Sequence, residues 1–228
     1  MPVAPEAKGT TLMSHHHHPV GGGEAKQLIV MLHGYGADGE DLIGLAPYLG
    51  QVMPDAAFVA PNAPFPCAMS AFGFQWFDVW DADSTRRLEG ARLANSILQP
   101  FYDVQLEAHN VPPQELYILG FSQGTMMALH SGLRRPVAPR AIVGFAGRLM
   151  AAHLLAEEMT CKPPVMLAHG KDDDVVPVES LEQANRALRA AGVEVECHVI
   201  QGLGHGIDET GVLHAAQFLR RIGEASQG

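Results

Sequence analysis

The chain has 228 residues, 47% hydrophobic and 18% charged, a composition that supports one sizeable packed core and excludes a disordered polymer. Its formal charge of −10, with only 15 Lys and Arg, provides no basic surface to neutralise phosphates, so no nucleic-acid partner is expected. The three cysteines, Cys67, Cys161 and Cys197, form no CxxC pair, which argues against a disulfide framework or a zinc site and fits a reducing compartment.

Residues 1–26 carry neither a basic, apolar leader nor a regular period. They read as a flexible N-terminal segment ahead of a single domain at 27–228, with a cytoplasmic location expected. The four consecutive histidines at 15–18 stand in a Gly- and Pro-rich setting and read as a tail or tag, not a metal site. No run of about 18 apolar residues follows, so no stable membrane insertion is expected.

From residue 28 onward, short apolar runs alternate with helical stripes. Residues 28–32, 56–60, 116–119, 141–145 and 165–168 are almost continuously apolar, as strands are when helices cover both faces of a parallel sheet. Residues 193–200, VEVECHVI, alternate instead and read as an edge or half-exposed strand. Helices are predicted at 83–99, capped by Asp83 or Ser84 and ended by Pro100, and at 123–133, 178–191 and 211–222. Strand and helix in alternation make an α/β protein with a mostly parallel sheet. Residues 61–83 follow neither period, yet they hold Phe65, Phe72, Phe74, Trp76, Phe77 and Trp80. Such a long irregular segment is usually functional, so it is a candidate substrate wall.

The chemistry enters at 116–130, where an apolar run leads into Gly120-Phe121-Ser122-Gln123-Gly124 and then a helical stripe. A serine held on a sharp strand-to-helix turn needs neighbours with almost no side chain, and the following helix directs its N-terminal N–H groups at a developing oxyanion. A serine hydroxyl is a weak nucleophile and needs a base, itself oriented by a carboxylate. Downstream, a strand runs into Asp172-Asp173-Asp174 and the next into a glycine-rich loop carrying His205. The chain order Ser, acid, His and the placement after strand ends both suit a nucleophile-elbow hydrolase. Any of the three aspartates meets the requirement. Oxyanion stabilisation needs two N–H donors; Gln123 follows the nucleophile, and Tyr35 lies in the glycine-rich turn after the first strand. His33, just before that turn, reads as a residue that holds the loop by hydrogen bonds.

Together, LHGYGADGEDL, PNAP, QWFD, LGFSQGTMMAL, AHGKDDDVVP and GHGI, in this order, resemble the phospholipase/carboxylesterase branch of the α/β hydrolases, to which acyl-protein thioesterases belong. The resemblance runs from about residue 28 to the C-terminus, and residues 1–26 show no matching element. It implies the α/β-hydrolase fold, a mostly parallel central sheet with helices on both faces. It also implies a triad of Ser122, Asp173 and His205, selecting Asp173 by the register of H-G-x-x-D-x-x-V-P. Tyr35 and Gln123 are implied as the oxyanion donors and the segment near Trp76 and Phe77 as a border of the acyl site, and with Phe72 from the aromatic stretch these make Phe72, Trp76 and Phe77 the expected substrate-binding residues. The implied activity is hydrolysis of a small-molecule or lipid acyl ester or thioester without cofactor or metal. The alternatives are a silent hydrolase-fold binding protein and a hydrolase of another acyl bond, such as a lactone or peptide.

Overall fold

The computed structural model describes residues 12–67, 69 and 72–224. The strands are β1 Ser14–His17, β2 Gln27–Leu32, β3 Ala56–Pro61, β4 Phe65–Pro66, β5 Phe74–Gln75, β6 Leu116–Phe121, β7 Ala141–Phe145, β8 Val165–Gly170 and β9 Val195–Ile200. The helices are α1 Gly39–Ile43, α2 Ala46–Leu49, α3 Ser84–Ala108, α4 Gln123–Gly132, α5 Leu155–Glu158, α6 Glu179–Ala190 and α7 Glu209–Glu224. Seven strands form one sheet in the order β1-β3-β2-β6-β7-β8-β9, parallel throughout except for β1. This is the α/β-hydrolase architecture.

The period-2 alternation of buried strands divides the core. Leu28, Val30 and Leu32 of β2 pack with residues of α3, α4 and α6, whereas Ile29 and Met31 pack with residues of α1, α2 and α7. Each apolar run in the sequence thus feeds two core layers at once, which is why it shows no polar face. β9, which does alternate, lies at the sheet edge and is only partly buried.

Two expectations give way. The segment through residue 26 is not uniformly flexible: β1 pairs antiparallel with β3, Ser14 opposite Pro61 and His17 opposite Phe58. Its continuation is tied down as well, since Gly21 N–H donates to Pro54 O and Lys26 N–H donates to Asp55 O. An edge strand of histidines has no apolar pattern to reveal it; the His17 ring meets Phe58 edge-on and His16 stacks on His109. Residues 1–11 of that segment lie outside the described residues. Helix α3 also runs past Pro100 to Ala108. Proline inside a helix costs about 3 kcal/mol. Beyond it, Phe101, Tyr102 and Leu106 continue the buried stripe of Ala91, Ala94 and Leu98. Each large apolar side chain so buried contributes roughly 1.5–3 kcal/mol, which outweighs the lost hydrogen bond. Among the described residues, no helix is long and apolar enough to cross a membrane.

Helix α4 is buried along its whole length, and it carries His130, whose two ring nitrogens have no hydrogen-bond partner among the described residues. Burial, reinforced by the charge of Arg134, pushes this imidazole down to about 4. The unfolded chain takes up a proton near 6.5, so stability present above that pH drains as pH falls toward 4. Between pH 7.5 and 5, wild type is expected to lose about 2 kcal/mol more than His130→Leu. Urea unfolding at both pH values measures this, and parallel losses would contradict it.

Candidate active site

β6 ends at Phe121 and α4 begins at Gln123, leaving Ser122 alone on the turn with φ 53° and ψ −114°. A non-glycine residue held there costs roughly 1–3 kcal/mol and persists only where its surroundings enforce it. Here they do. Ser122 N–H donates to Phe145 O at 2.8 Å, which ties the turn to the end of β7. The buried Thr125 hydroxyl accepts from Phe145 N–H at 2.9 Å and lies 2.8 Å from both Gly120 O and Phe145 O. The flanking glycines are steric necessities: a Cβ at Gly124 would sit 1.8 Å from Leu32 O, and one at Gly120 would sit 2.4 Å from Gly124 C.

His205 arrives on the loop between β9 and α7. That loop packs directly over the end of β8, since a Cβ on Gly170 would fall 2.3 Å from the carbonyl oxygens of both Leu203 and Gly204. His205 Nε2 lies 3.0 Å from Ser122 Oγ, and His205 Nδ1 lies 2.8 Å from Asp173 Oδ2. The carboxylate accepts at Nδ1–H, so the network assigns Nε2 as the acceptor for the serine proton. Asp173 Oδ1 accepts from Val175 N–H at 2.9 Å and Val176 N–H at 2.8 Å. Burial alone would favour the neutral acid, but hydrogen bonds from His205, Val176 and Val175 outweigh it and hold Asp173 below the ordinary carboxylate range. His169, buried beneath, places Nε2 2.8 Å from Val176 O and 3.2 Å from Asp173 Oδ2. Asp172 and Asp174 point to solvent, so of the three aspartates only Asp173 meets His205.

Ser122 and His205 open onto a cleft of about 480 Å³ that Tyr35 and Gln123 also line. Gln123 is the first residue of α4, so its N–H has no intrahelical acceptor. Val79, Trp80, Met126, Val175 and Val176 supply apolar walls, and Arg87 and Arg148 a charged one.

Phe72, Trp76 and Phe77 are not among the residues lining this cleft. Phe72 is 90% exposed, whereas Trp76 is fully buried and Phe77 nearly so. Trp76 Nε1–H donates to His33 O at 2.9 Å, and its backbone N–H donates to Gln123 Oε1 at 3.0 Å. Gln123 Nε2 donates to Phe77 O at 2.6 Å. The aromatic stretch therefore plugs the core and braces the turns around Ser122, and Trp80, 71% exposed, is its aromatic contribution to the wall. His33 has no ring nitrogen to spare for proton transfer: Nδ1–H donates to Gly34 O at 2.7 Å and Nε2 accepts from Ala63 N–H at 2.9 Å. Burial holds its pKa below the ordinary histidine value, in keeping with a neutral bracing residue. Trp80 belongs to the segment read as a candidate wall, whereas Arg87 and Arg148 escaped the reading of the sequence. For Arg148, its position just past a strand's carboxyl end was the available signal.

A family model described as Phospholipase/Carboxylesterase matches residues 20–222. Esterase YpfH of Escherichia coli (strain K12) is 28% identical over 199 residues, 86% of this chain and 83% of that protein. Acyl-protein thioesterase 1 of Saccharomyces cerevisiae is 32% identical over 167 residues, 68% of this chain and 73% of that protein. The crystal structure of esterase PE8 superposes with a TM-score of 0.88 at 42% identity, covering 93% of this chain and 100% of the other.

Asp173→Asn, which mis-sets the imidazole tautomer, is expected to lower kcat on p-nitrophenyl butyrate by about 10⁴-fold, the scale seen for the equivalent change in a serine protease. Asp172→Asn and Asp174→Asn should have only mild effects. A severe loss in either neighbour, with Asp173→Asn mild, would contradict the assignment.

Proposed function

This chain belongs to the phospholipase/carboxylesterase family and is an enzyme of the carboxylic-ester hydrolase class, and from that premise we propose that Ser122 is its nucleophile, His205 its general base and Asp173 the carboxylate that orients the base. The observation that carries this reading is the two-sided hydrogen bonding of His205, to Ser122 Oγ at 3.0 Å and to Asp173 Oδ2 at 2.8 Å.

Ser122 Oγ attacks the carbonyl carbon of a bound ester or thioester while His205 Nε2 accepts its proton. Asp173, kept ionised by its hydrogen bonds, stabilises the imidazolium so formed. The backbone N–H groups of Tyr35 and Gln123 receive the oxyanion of the tetrahedral intermediate. Collapse breaks the bond to the alcohol or thiol, which leaves with the proton from His205 Nε2, and the acyl group stays on Ser122. Water then attacks the acyl-enzyme, giving its proton to His205, and the acid departs as Ser122 Oγ takes that proton back. Every proton moved is carried by His205, so no step calls for a cofactor. The apolar walls of Val79, Trp80, Met126, Val175 and Val176 suit an acyl chain of several carbons, each buried methylene contributing about 0.8 kcal/mol.

Ser122→Ala is expected to reduce kcat on p-nitrophenyl butyrate by about 10⁴- to 10⁶-fold, because it removes the attacking atom and nothing else in the cleft. Thermal unfolding of the variant serves as the check on its fold. A well-folded variant that retains wild-type turnover would rule out this mechanism.

A further inference from the structure

The charged wall of the cleft has no part in the triad chemistry. Arg87, in the first turn of α3, and Arg148, just past the end of β7, line both the active cleft and an adjoining cleft of about 610 Å³. The adjoining cleft adds Arg92, His153 and the α3 N-terminal residues Ser84 and Thr85, and no Asp or Glu lines either cleft among the described residues.

Three other arginines, one of them Arg92 of the adjoining cleft, are paired with acids. Arg92 and Arg134 share Glu158, and Arg135 is bonded to Asp103. By contrast, the Arg87 guanidinium donates to the backbone oxygen of Asp81, and Arg148 has no ion-pair partner among the described residues. Burial, and then the charge of Arg87, pull the Arg148 pKa below the usual arginine range, so the two guanidinium groups repel each other in a partly desolvated setting. Arg148 nevertheless stays protonated at neutral pH. In a chain of net charge −10 acids are plentiful, yet among the described residues none lines these clefts or forms an ion pair with either arginine. Two uncompensated arginines beside a reacting centre are offset when an anion arrives, and the planar guanidinium fork matches the oxygens of carboxylate and phosphate.

We propose that Arg87 and Arg148 form an anion subsite, and that the preferred substrates are acyl esters or thioesters bearing a carboxylate or phosphate near the scissile bond. The inference rests on the hydrolase reading given above and names the substrate class for that same site. The low-dielectric walls of the cleft concentrate the field of the two arginines on its entrance, which favours capture of such anions.

The test compares kcat/KM within matched pairs. p-Nitrophenyl pentanoate against p-nitrophenyl hydrogen glutarate places a carboxylate on the acyl side, and a monoacylglycerol against its glycerol phosphate counterpart places a phosphate on the leaving side. In wild type, the anionic member of at least one pair is expected to be favoured about tenfold, the scale of one charge-assisted hydrogen bond. The pair that responds shows which side of the substrate carries the anion. Arg87→Gln and Arg148→Gln should each reduce that preference about tenfold, chiefly through KM, while Arg86→Gln, which removes the same charge outside the cleft, leaves it intact. Neutral esters turned over with no anionic preference in either pair would overturn the subsite and leave the hydrolase reading standing. Equal losses on both members of a pair in Arg87→Gln and Arg148→Gln would show a merely structural role and also overturn it. Failure to hydrolyse any of the four substrates would sink the hydrolase reading and the subsite with it.

Discussion

Ser122 is held at a positive φ because three backbone segments converge around it within touching distance. Gly124 abuts Leu32 O at the end of β2, Gly120 abuts the first turn of α4, and the Ser122 N–H is bonded to Phe145 O at the end of β7. Each net hydrogen bond contributes about 0.5–1.5 kcal/mol, so the Ser122 amide bond and those of the Thr125 hydroxyl together match the strain of roughly 1–3 kcal/mol. The same convergence has a positional consequence. It forces the turn after β2 against the start of α4, so that Tyr35 and Gln123 share one cleft with the serine hydroxyl.

Around that turn the molecule builds two further supports. Asp173 receives hydrogen bonds from His205, Val175 and Val176 and lies beside His169, so its carboxylate has no freedom to swing away from the imidazole. On the opposite side, Trp76 donates to His33 O while the Gln123 side chain bridges Trp76 N–H and Phe77 O. Gln123 thus lines the cleft while its side chain clamps the aromatic segment against the core. Such support is what lets donors act on a developing charge without reorganising. Arg87 and Arg148 complete the electrostatic setting with positive charge that, among the described residues, no acid of the cleft lining neutralises.

The parallel strands, the serine turn and the histidine that meets Ser122 were legible in the sequence because each has a local signature: continuous apolar runs, paired glycines at fixed spacing, and a histidine in a glycine-rich loop after a strand. The choice among Asp172, Asp173 and Asp174 was not local. It depends on which carboxylate the loop after β8 turns inward, and three identical neighbours carry no trace of that; only the family resemblance selected Asp173. β1 was hidden because its histidines lack any apolar alternation and its pairing is with residues more than 40 positions away. The aromatic segment was only half legible, since Val79 and Trp80 line the cleft whereas Trp76 and Phe77 do not. Its Pro and Gly content suggested a wall, but irregular backbone does not prevent Trp76 and Phe77 from filling the core, and burial is decided by what packs above them. Pro100 likewise failed to end α3 because apolar residues on both sides of it share one buried stripe.

The central claim, that a strained and activated serine at position 122 carries the reaction, is tested most directly by fluorophosphonate labelling of the wild-type protein followed by peptide mass mapping. The account predicts one covalent adduct per chain, on Ser122, with labelling slowed strongly in His205→Gln because the base no longer accepts the proton. An adduct on another residue, or labelling of Ser122 at an unchanged rate in His205→Gln, would contradict it.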